Sequence, residues 1–256
     1  MCLIVVGWHA HPDYPLIVAA NRDEFFARPS APAHWWTDLP QLLAGRDLEA
    51  GGTWMGVTRS GRFAALTNYR DPSARRPDAP SRGVLVRDAL LSGADAVTTL
   101  RDIAQRAGDY AGFNLFVGDG RTLAILESTR SRVTPLKPGI YGLSNHLLDT
   151  PWPKVALARK RFAEAIRALP DESALLALLR DDTPAGDAHL PDTGISLEWE
   201  RWLSPAFIRA PGYGTRASTL ALLQNDGTTR LREWSWDDAG QASSESIHCF
   251  TISDRR

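Results

Sequence analysis

Residues 2–8, CLIVVGW, form a run without a charged side chain and rich in β-branched residues, and residues 16–20, LIVAA, repeat that character after a His-Ala-His-Pro-Asp turn. Two such runs about a Pro/Asp turn predict a β-hairpin. A strand with one face in water alternates apolar and polar residues, whereas these two runs do not alternate, so both of their faces need cover. The chain must therefore place inside the molecule a hairpin that starts at its second residue, although chain termini ordinarily lie at the surface.

The rest of the chain supplies that cover. Residues 21–52 read as loop, with Pro29, Pro32 and Pro40 and the pair Trp35-Trp36. Residues 53–58 and 63–68 predict a second hairpin, and residues 113–117 and 122–127 a third, joined by Gly-Asp-Gly-Arg. Residues 140–144 predict another strand, and residues 217–223, 229–236 and 246–252 three more. Helical spacing occurs at 83–91 and 94–107, where Val97, Leu100, Ile103 and Ala104 share a face and Gly108 is a stop signal. It recurs at 153–169, with Pro153 in the first turn and a stripe of Val155, Ala158, Phe162 and Ile166, and again at 173–179. Residues 181–194 read as a polar loop. Strands cluster in hairpins and helices in blocks, which excludes a doubly wound parallel sheet and predicts an α+β fold with antiparallel sheets. No linker-like stretch or repeat divides the 256 residues, so a single domain is expected.

Charge and composition remove several function classes. Lys and Arg total 29 against 30 Asp and Glu, so no basic excess marks a nucleic-acid footprint. The apolar run at 3–6 is far shorter than the ~18 residues of a membrane span, and no basic segment or cleavage site marks a secretory signal. Cys2 and Cys249 are the only cysteines, too few for a disulfide framework, and the expected location is cytoplasmic. Cys249 is expected to be a buried small residue of the last strand. His9 and His11 stand two apart in a turn without the spacing of a metal site, and no phosphate-binding glycine loop is present. No metal is expected.

Cys2 is the residue with chemistry to offer. Aminopeptidase removal of Met1 is favoured when the second residue is small, and it would leave a thiol and a free α-amine on one residue. With an α-amine pKa of about 7.7–8.0 and a thiol pKa of about 8.5, the amine can serve as base for its own thiol near neutral pH. The alternative is a small apolar residue that merely begins a buried strand. The polar cluster Asn21-Arg22-Asp23-Glu24 follows the second hairpin strand, and antiparallel pairing brings it beside Cys2. There an aspartate can hold the α-ammonium and an arginine can lower a thiol pKa. The same charges would also suit a solvated loop. Arg75, Arg76 and Arg82 frame a loop that reads more readily as solvated than as a pocket rim.

The Met-Cys start, the string Asn21-Arg22-Asp23-Glu24 with Phe25-Phe26 and Arg28-Pro29 behind it, and Gly51-Gly52-Thr53-Trp54 resemble the NRDE family, which includes the transport-and-Golgi-organisation protein of animals. The likeness continues through Thr67-Asn68-Tyr69-Arg70, Leu143-Ser144-Asn145 and Gly214-Thr215-Arg216-Ala217-Ser218-Thr219, and so spans nearly the whole chain. That family in turn resembles the N-terminal-nucleophile hydrolases, within them the choloylglycine group of bile-salt and penicillin V amidases. The resemblance implies a four-layer αββα sandwich, two antiparallel sheets between helical layers. It implies Cys2 as nucleophile, Asp23 as the carboxylate that orients the amine, and Arg22 as the arginine beside the thiol, with a local order that admits a one-residue slip. Asn68 and Asn145 correspond to the oxyanion-hole asparagines, and Arg216 to the arginine after the late strand turn.

Two functions of different class follow. One is a cysteine-dependent hydrolase of a linear amide, or of a thioester, that requires no cofactor. The other is a non-catalytic binder or carrier of haem or of an acyl-CoA or other lipid, as the resemblance also implies. Nine tryptophans, among them Trp35-Trp36, Trp54, Trp152 and the Trp199/Trp202 pair, can line a pocket for a flat or greasy ligand or simply fill cores. Haem would need an axial ligand, and Cys2, His9, His146 and His248 are the candidates that no spacing separates. Neither reading fixes an oligomeric state.

Overall fold

In this computed structural model, residues 2–74, 76 and 78–252 are described, the side chain of Cys2 excepted. The order of elements is β1 (Cys2–Trp8), β2 (Leu16–Phe25), β3 (Ser30–Trp35), β4 (Leu42–Asp47), β5 (Met55–Thr58), β6 (Phe63–Asn68), α1 (Gly83–Leu91) and α2 (Ala96–Gln105). Then come β7 (Phe113–Gly118), β8 (Leu123–Glu127), β9 (Arg132–Pro135), β10 (Gly139–Leu143), α3 (Pro153–Ala165), α4 (Ser173–Leu179) and α5 (Leu197–Trp202). The chain continues with β11 (Arg209–Ala210), β12 (Tyr213–Leu223), β13 (Thr228–Trp236) and β14 (Ala242–Thr251).

The strands make two antiparallel sheets. The first has the order β10-β1-β2-β12-β13-β14, with the short β11 on β12; the second is a meander from β3 to β9. The N-terminal hairpin thus sits in the middle of the first sheet. Its side chains divide by parity, as a period of two requires. Leu3, Val5, Ile17 and Ala19 pack with Val155, Phe162 and Leu175 of α3 and α4. Ile4, Val6, Trp8, Leu16 and Val18 pack with Leu43, Val57, Phe63 and Phe116 of the second sheet. A third core joins the outer face of the second sheet to α1 and α2 through Leu85, Val86, Leu100 and Ile103. The layers run helix, sheet, sheet, helix, the αββα order that the resemblance implied.

The α+β class, the hairpins and the four longer helices match expectation, and the departures have local causes. The stretch expected as loop contains β3, β4 and the extension of β2 to Phe25. Pro32 is accommodated because β3 is an edge strand with a register shift between Ala31 and His34. Neither β4 nor the four-residue β9 is long enough to display a clear alternation. Cys249 lies on the last strand as expected but is exposed rather than buried. Helices α3 and α4 cover β10, β1, β2 and β12 and leave β14 open on that side.

Phe162 is fully buried between α3 and the first sheet, against Gly7. Phe162→Ala is expected to lower the free energy of unfolding by about 3–5 kcal/mol, whereas Leu157→Ala on the exposed face of α3 should change it by less than about 0.5 kcal/mol. Urea titrations of the two variants check both values.

Candidate active site

The end of β2 carries the polar cluster, and strand pairing decides what surrounds it. Cys2 of β1 stands opposite Arg22 of β2, and β2 is paired on its other side with β12, Asp23 opposite Thr215 and Arg22 opposite Ala217. Arg216 is the extra residue of a bulge between those pairs. The backbone of Cys2 therefore lies beside the cluster, while its side chain and Met1 lie outside the described residues.

Parity splits the cluster between two faces. Asn21 turns toward the helices: its Nδ2 donates to the carbonyls of Leu179 and Ala206, both at 2.8 Å, and its Oδ1 accepts from Ser218 Oγ at 2.6 Å. Those bonds tie α4 and the segment before β12 to the sheet, so Asn21 is a structural staple. Asp23 is 1% exposed, and its Oδ1 accepts from Thr215 Oγ1 at 2.7 Å. Burial raises the Asp23 carboxyl pKa above the usual range, against the opposing pull of Lys154, the Thr215 hydroxyl and Arg22. Lys154 is itself buried at the first turn of α3, with Nζ donating to the Leu203 carbonyl at 2.9 Å.

Arg22 turns toward the second sheet. Its guanidinium lies 4.4 Å from the Trp54 ring centroid, and Nη2 is 3.8 Å from Asp47 Oδ2. The Arg22 side chain is 5% exposed, yet its Nη1 has no hydrogen-bond acceptor among the described residues. Asp47 also receives Arg28 Nε at 2.7 Å. Burial works to raise the Asp47 pKa, but Arg28 and the backbone N–H groups of Glu49 and Ala50 hold it below the usual range. The Trp54 ring fits there because position 45 is glycine: a Cβ on Gly45 would lie 2.3 Å from two of its ring atoms.

Between these groups opens a cavity of about 430 Å³, whose lining includes Arg22, Asp23, Arg28, Asp47, Trp54 and Asn68. Arg76 and Arg82 also line it, which corrects the expectation of a solvated loop for both; Arg75 lies outside the described residues. Asn145 does not line the cavity. It is fully buried behind Asn68, donating from Nδ2 to the Asn68 carbonyl at 2.9 Å, and its own carbonyl accepts the Arg70 N–H at 2.7 Å. Arg216 is likewise outside the lining. Its Nη1 donates to the carbonyls of Phe25, Phe26 and Arg28, fixing the turn that aims Arg28 at Asp47. Burial and the nearby Arg22 charge lower the Arg216 pKa.

Of the six residues singled out for chemistry, Arg22, Asp23 and Asn68 thus share one cavity, Asn145 and Arg216 brace it, and the thiol of Cys2 is outside the description. Sequence reasoning did not assign Arg28 or Asp47 to the site, and it offered Trp54 only as one of several tryptophans able to line a pocket or fill a core. Arg28-Pro29 and Gly51-Gly52-Thr53-Trp54 were visible as motifs, but nothing in them shows that β4 and β5 meet the end of β2. The tryptophan pair Trp199/Trp202 packs with Tyr213 and lies away from the cavity lining.

Comparison with known proteins agrees over most of the chain. Residues 1–238 match the family described as Transport and Golgi organisation 2. The Homo sapiens Transport and Golgi organization protein 2 homolog is 37% identical over 261 residues, 93% of this chain and 94% of its own. The Drosophila melanogaster Transport and Golgi organization protein 2 is 28% identical over 265 residues, 91% of each chain. The chain belongs to the Transport and Golgi organisation 2 family. Among solved structures it is similar to the Caenorhabditis elegans N-acylethanolamine-hydrolyzing acid amidase ortholog, at 14% identity and a TM-score of 0.48, over 86% of this chain and 92% of that one. It is also similar to the C2A mutant of the conjugated bile acid hydrolase from Clostridium perfringens, at 10% identity and a TM-score of 0.45, over 98% of this chain and 92% of that one.

A carboxyl whose pKa is higher folded than unfolded binds more protons in the folded state, so its contribution to stability falls as pH rises from the unfolded value, about 3.9, through the folded one. Asp23→Asn should therefore match the wild type in stability below about pH 4 and become progressively more stable than it toward neutral pH. Urea midpoints across that range measure the difference; a variant that loses ground as pH rises would contradict the assignment. Gly45→Ala should displace the Trp54 ring from Arg22 and cost about 1–3 kcal/mol, read by unfolding and near-ultraviolet circular dichroism.

Proposed function

We propose that the cavity at the end of β2 is an acyl-transfer site, in which Cys2, freed of Met1, attacks the carbonyl carbon of a linear amide or a thioester. What supports this reading is the backbone pairing of Cys2 with Arg22, a residue that lines a cavity together with Asp23 and Asn68. The α-amine takes the thiol proton, the thiolate adds to the carbonyl, and the amine returns that proton to the departing amine or thiol. Water then attacks the resulting thioester, releasing the acid and restoring the thiol. Asp23 is assigned to holding the α-ammonium, Arg22 to favouring the thiolate, and the Asn68 side chain to the oxyanion. Asn145 acts through the Asn68 backbone and Arg216 through the turn that carries Arg28, so both are positioning residues. The chemistry suits a reducing compartment such as the cytoplasm, where a free thiol persists. No helix among the described residues is long and apolar enough to cross a membrane.

A second reading, a carrier for a ligand with an anionic head, draws on the guanidinium groups of Arg22, Arg28, Arg76 and Arg82 around the same cavity, which Asp23, Glu24, Asp47 and Glu49 also line, Arg28 being paired with Asp47 and Glu49. An acyl-CoA or a similar lipid fits that chemistry. For haem, the described lining residues include no His, Met or Tyr to ligate iron and His9, His146 and His248 lie elsewhere, which leaves Cys2 as the axial ligand of that reading.

The deciding experiment combines intact mass, thiol labelling at neutral pH and turnover of a panel of acyl amides and acyl thioesters. The expected outcome is a chain lacking Met1, fast labelling at Cys2, and turnover abolished by Cys2→Ala with the fold retained. Asn68→Ala should reduce kcat by ~10²–10³. A retained Met1, or turnover that survives Cys2→Ala, sinks the hydrolase reading. Tight stoichiometric binding of a long-chain acyl-CoA without turnover would favour the carrier.

A further inference from the structure

We propose, resting on the acyl-transfer reading, that Lys154 is a positioning residue of that site: its ammonium supplies the positive charge that Asp23 faces when the Cys2 α-amine is neutral and able to take the thiol proton. Only three lysines occur in the chain; Lys137 and Lys160 are exposed, while Lys154 is 6% exposed. A buried ammonium costs free energy unless hydrogen bonds and opposite charge surround it. Lys154 is the second residue of α3, and the N-terminal end of a helix carries partial positive charge that repels a cation. Groups outside the helix must therefore stabilise it.

One segment, residues 203–208, connects Lys154 to Asp23. At its start the Leu203 carbonyl accepts Lys154 Nζ at 2.9 Å. In its middle the Ala206 carbonyl accepts Asn21 Nδ2 at 2.8 Å, two residues before Asp23 on β2. At its end the Ile208 N–H donates to Thr215 Oγ1 at 2.9 Å, and that hydroxyl donates to Asp23 Oδ1 at 2.7 Å. The other charged groups of this region have their own engagements. Arg70 donates to Glu200 Oε2 at 2.8 Å, and both line a small cavity with Lys154. Arg22 turns away toward Trp54 and Asp47, and Arg216 bonds to main-chain carbonyls. Glu24 accepts the Phe25 N–H, and the Tyr213 hydroxyl donates to the Asp23 carbonyl. Arg161 and Asp181, which line a groove with Lys154, bond to each other. The bond from Lys154 to Leu203 neutralises no charge, so the ammonium still acts on Asp23 and opposes the effect of burial there.

The proposed reaction calls for such a charge. While the α-amine is protonated, Asp23 has a cation to hold. The amine must then lose its proton to serve as base for the thiol, and a carboxylate 1% exposed would be left without opposing charge. That state is costly in a protein interior, and a charged Lys154 lowers the cost. The same ammonium disfavours a second cation at the same carboxylate, which moves the amine toward its neutral, basic form. Lys154 takes part in no proton transfer and touches no reacting atom.

Iodoacetamide labelling of Cys2 against pH, in a Cys249→Ser chain lacking Met1 so that one thiol is read, tests the role. Lys154→Met is expected to move the rising limb of the labelling rate up by about one pH unit, a roughly tenfold slower reaction on the acid side of the limb that vanishes at alkaline pH. Lys154→Arg keeps the charge and should keep the limb near its wild-type position. A limb that Lys154→Met leaves in place overturns the role. Urea midpoints of Lys154→Met, Asp23→Asn and the double variant at neutral pH read the charge pair without any reactive thiol. Lys154→Met should cost the wild-type chain more than it costs the Asp23→Asn chain, and equal losses overturn the pairing. A chain that keeps Met1, or whose Cys2 reacts no faster than an unstructured thiol, sinks the acyl-transfer reading and the role with it, whereas unequal losses in urea would still show Lys154 facing Asp23.

Discussion

The antiparallel pairing of β2 with β1 on one side and β12 on the other is the constraint from which the rest follows. It closes both edges of β2, whose two faces the helices and the second sheet then cover, so the two-residue period of the strand has no water to send polar side chains into. When the sequence turns polar at Asn21, each successive residue must be satisfied inside the protein, alternately against the helices and against the second sheet. Asn21 does so with backbone carbonyls of two other segments, Asp23 with a hydroxyl of β12, and Arg22 with an indole face and a distant carboxylate. The polar motif is therefore spread through the layers instead of presented on one surface.

That arrangement is costly in solvation, and the cost is visible in the groups themselves. Asp23 is held almost wholly out of water with its pKa raised, close enough to Lys154 and Arg22 for their charges to oppose that rise. Arg22 retains a nitrogen without an acceptor among the described residues. Buried polar groups with incomplete pairing are expensive, and folds tolerate them chiefly where the groups have work to do. Asn145 and Arg216 spend their donors on main-chain carbonyls around the site, which fixes the backbone that bears the lining residues. The site is thus braced by residues that do not line it.

Much of the fold was legible along the chain. Strand runs without alternation foretold a doubly covered hairpin, and the helical stripe of Val155, Ala158, Phe162 and Ile166 foretold the face of α3 that enters the core beside it. Elements that announced themselves weakly were short, irregular or at an edge: β3 with its proline, β4, and β9. Cys249 is exposed, not buried as its residue type and strand position predict, because burial of a strand residue depends on whether another layer lies over it.

What the sequence determined alone was the local chemistry: which segments are strands or helices, that the first hairpin needs cover on both faces, and that the residues after it are polar. Those properties arise from hydrophobic periodicity and turn residues, which act over a few positions. Only the tertiary structure decided that Asp47 and Trp54 meet Arg22, that Asn68 reaches the cavity while Asn145 stays behind it, and that Arg76 and Arg82 line its wall. Those meetings depend on how two sheets are stacked and in what register. Residues dozens of positions apart carry no mark of the partner against which packing will set them.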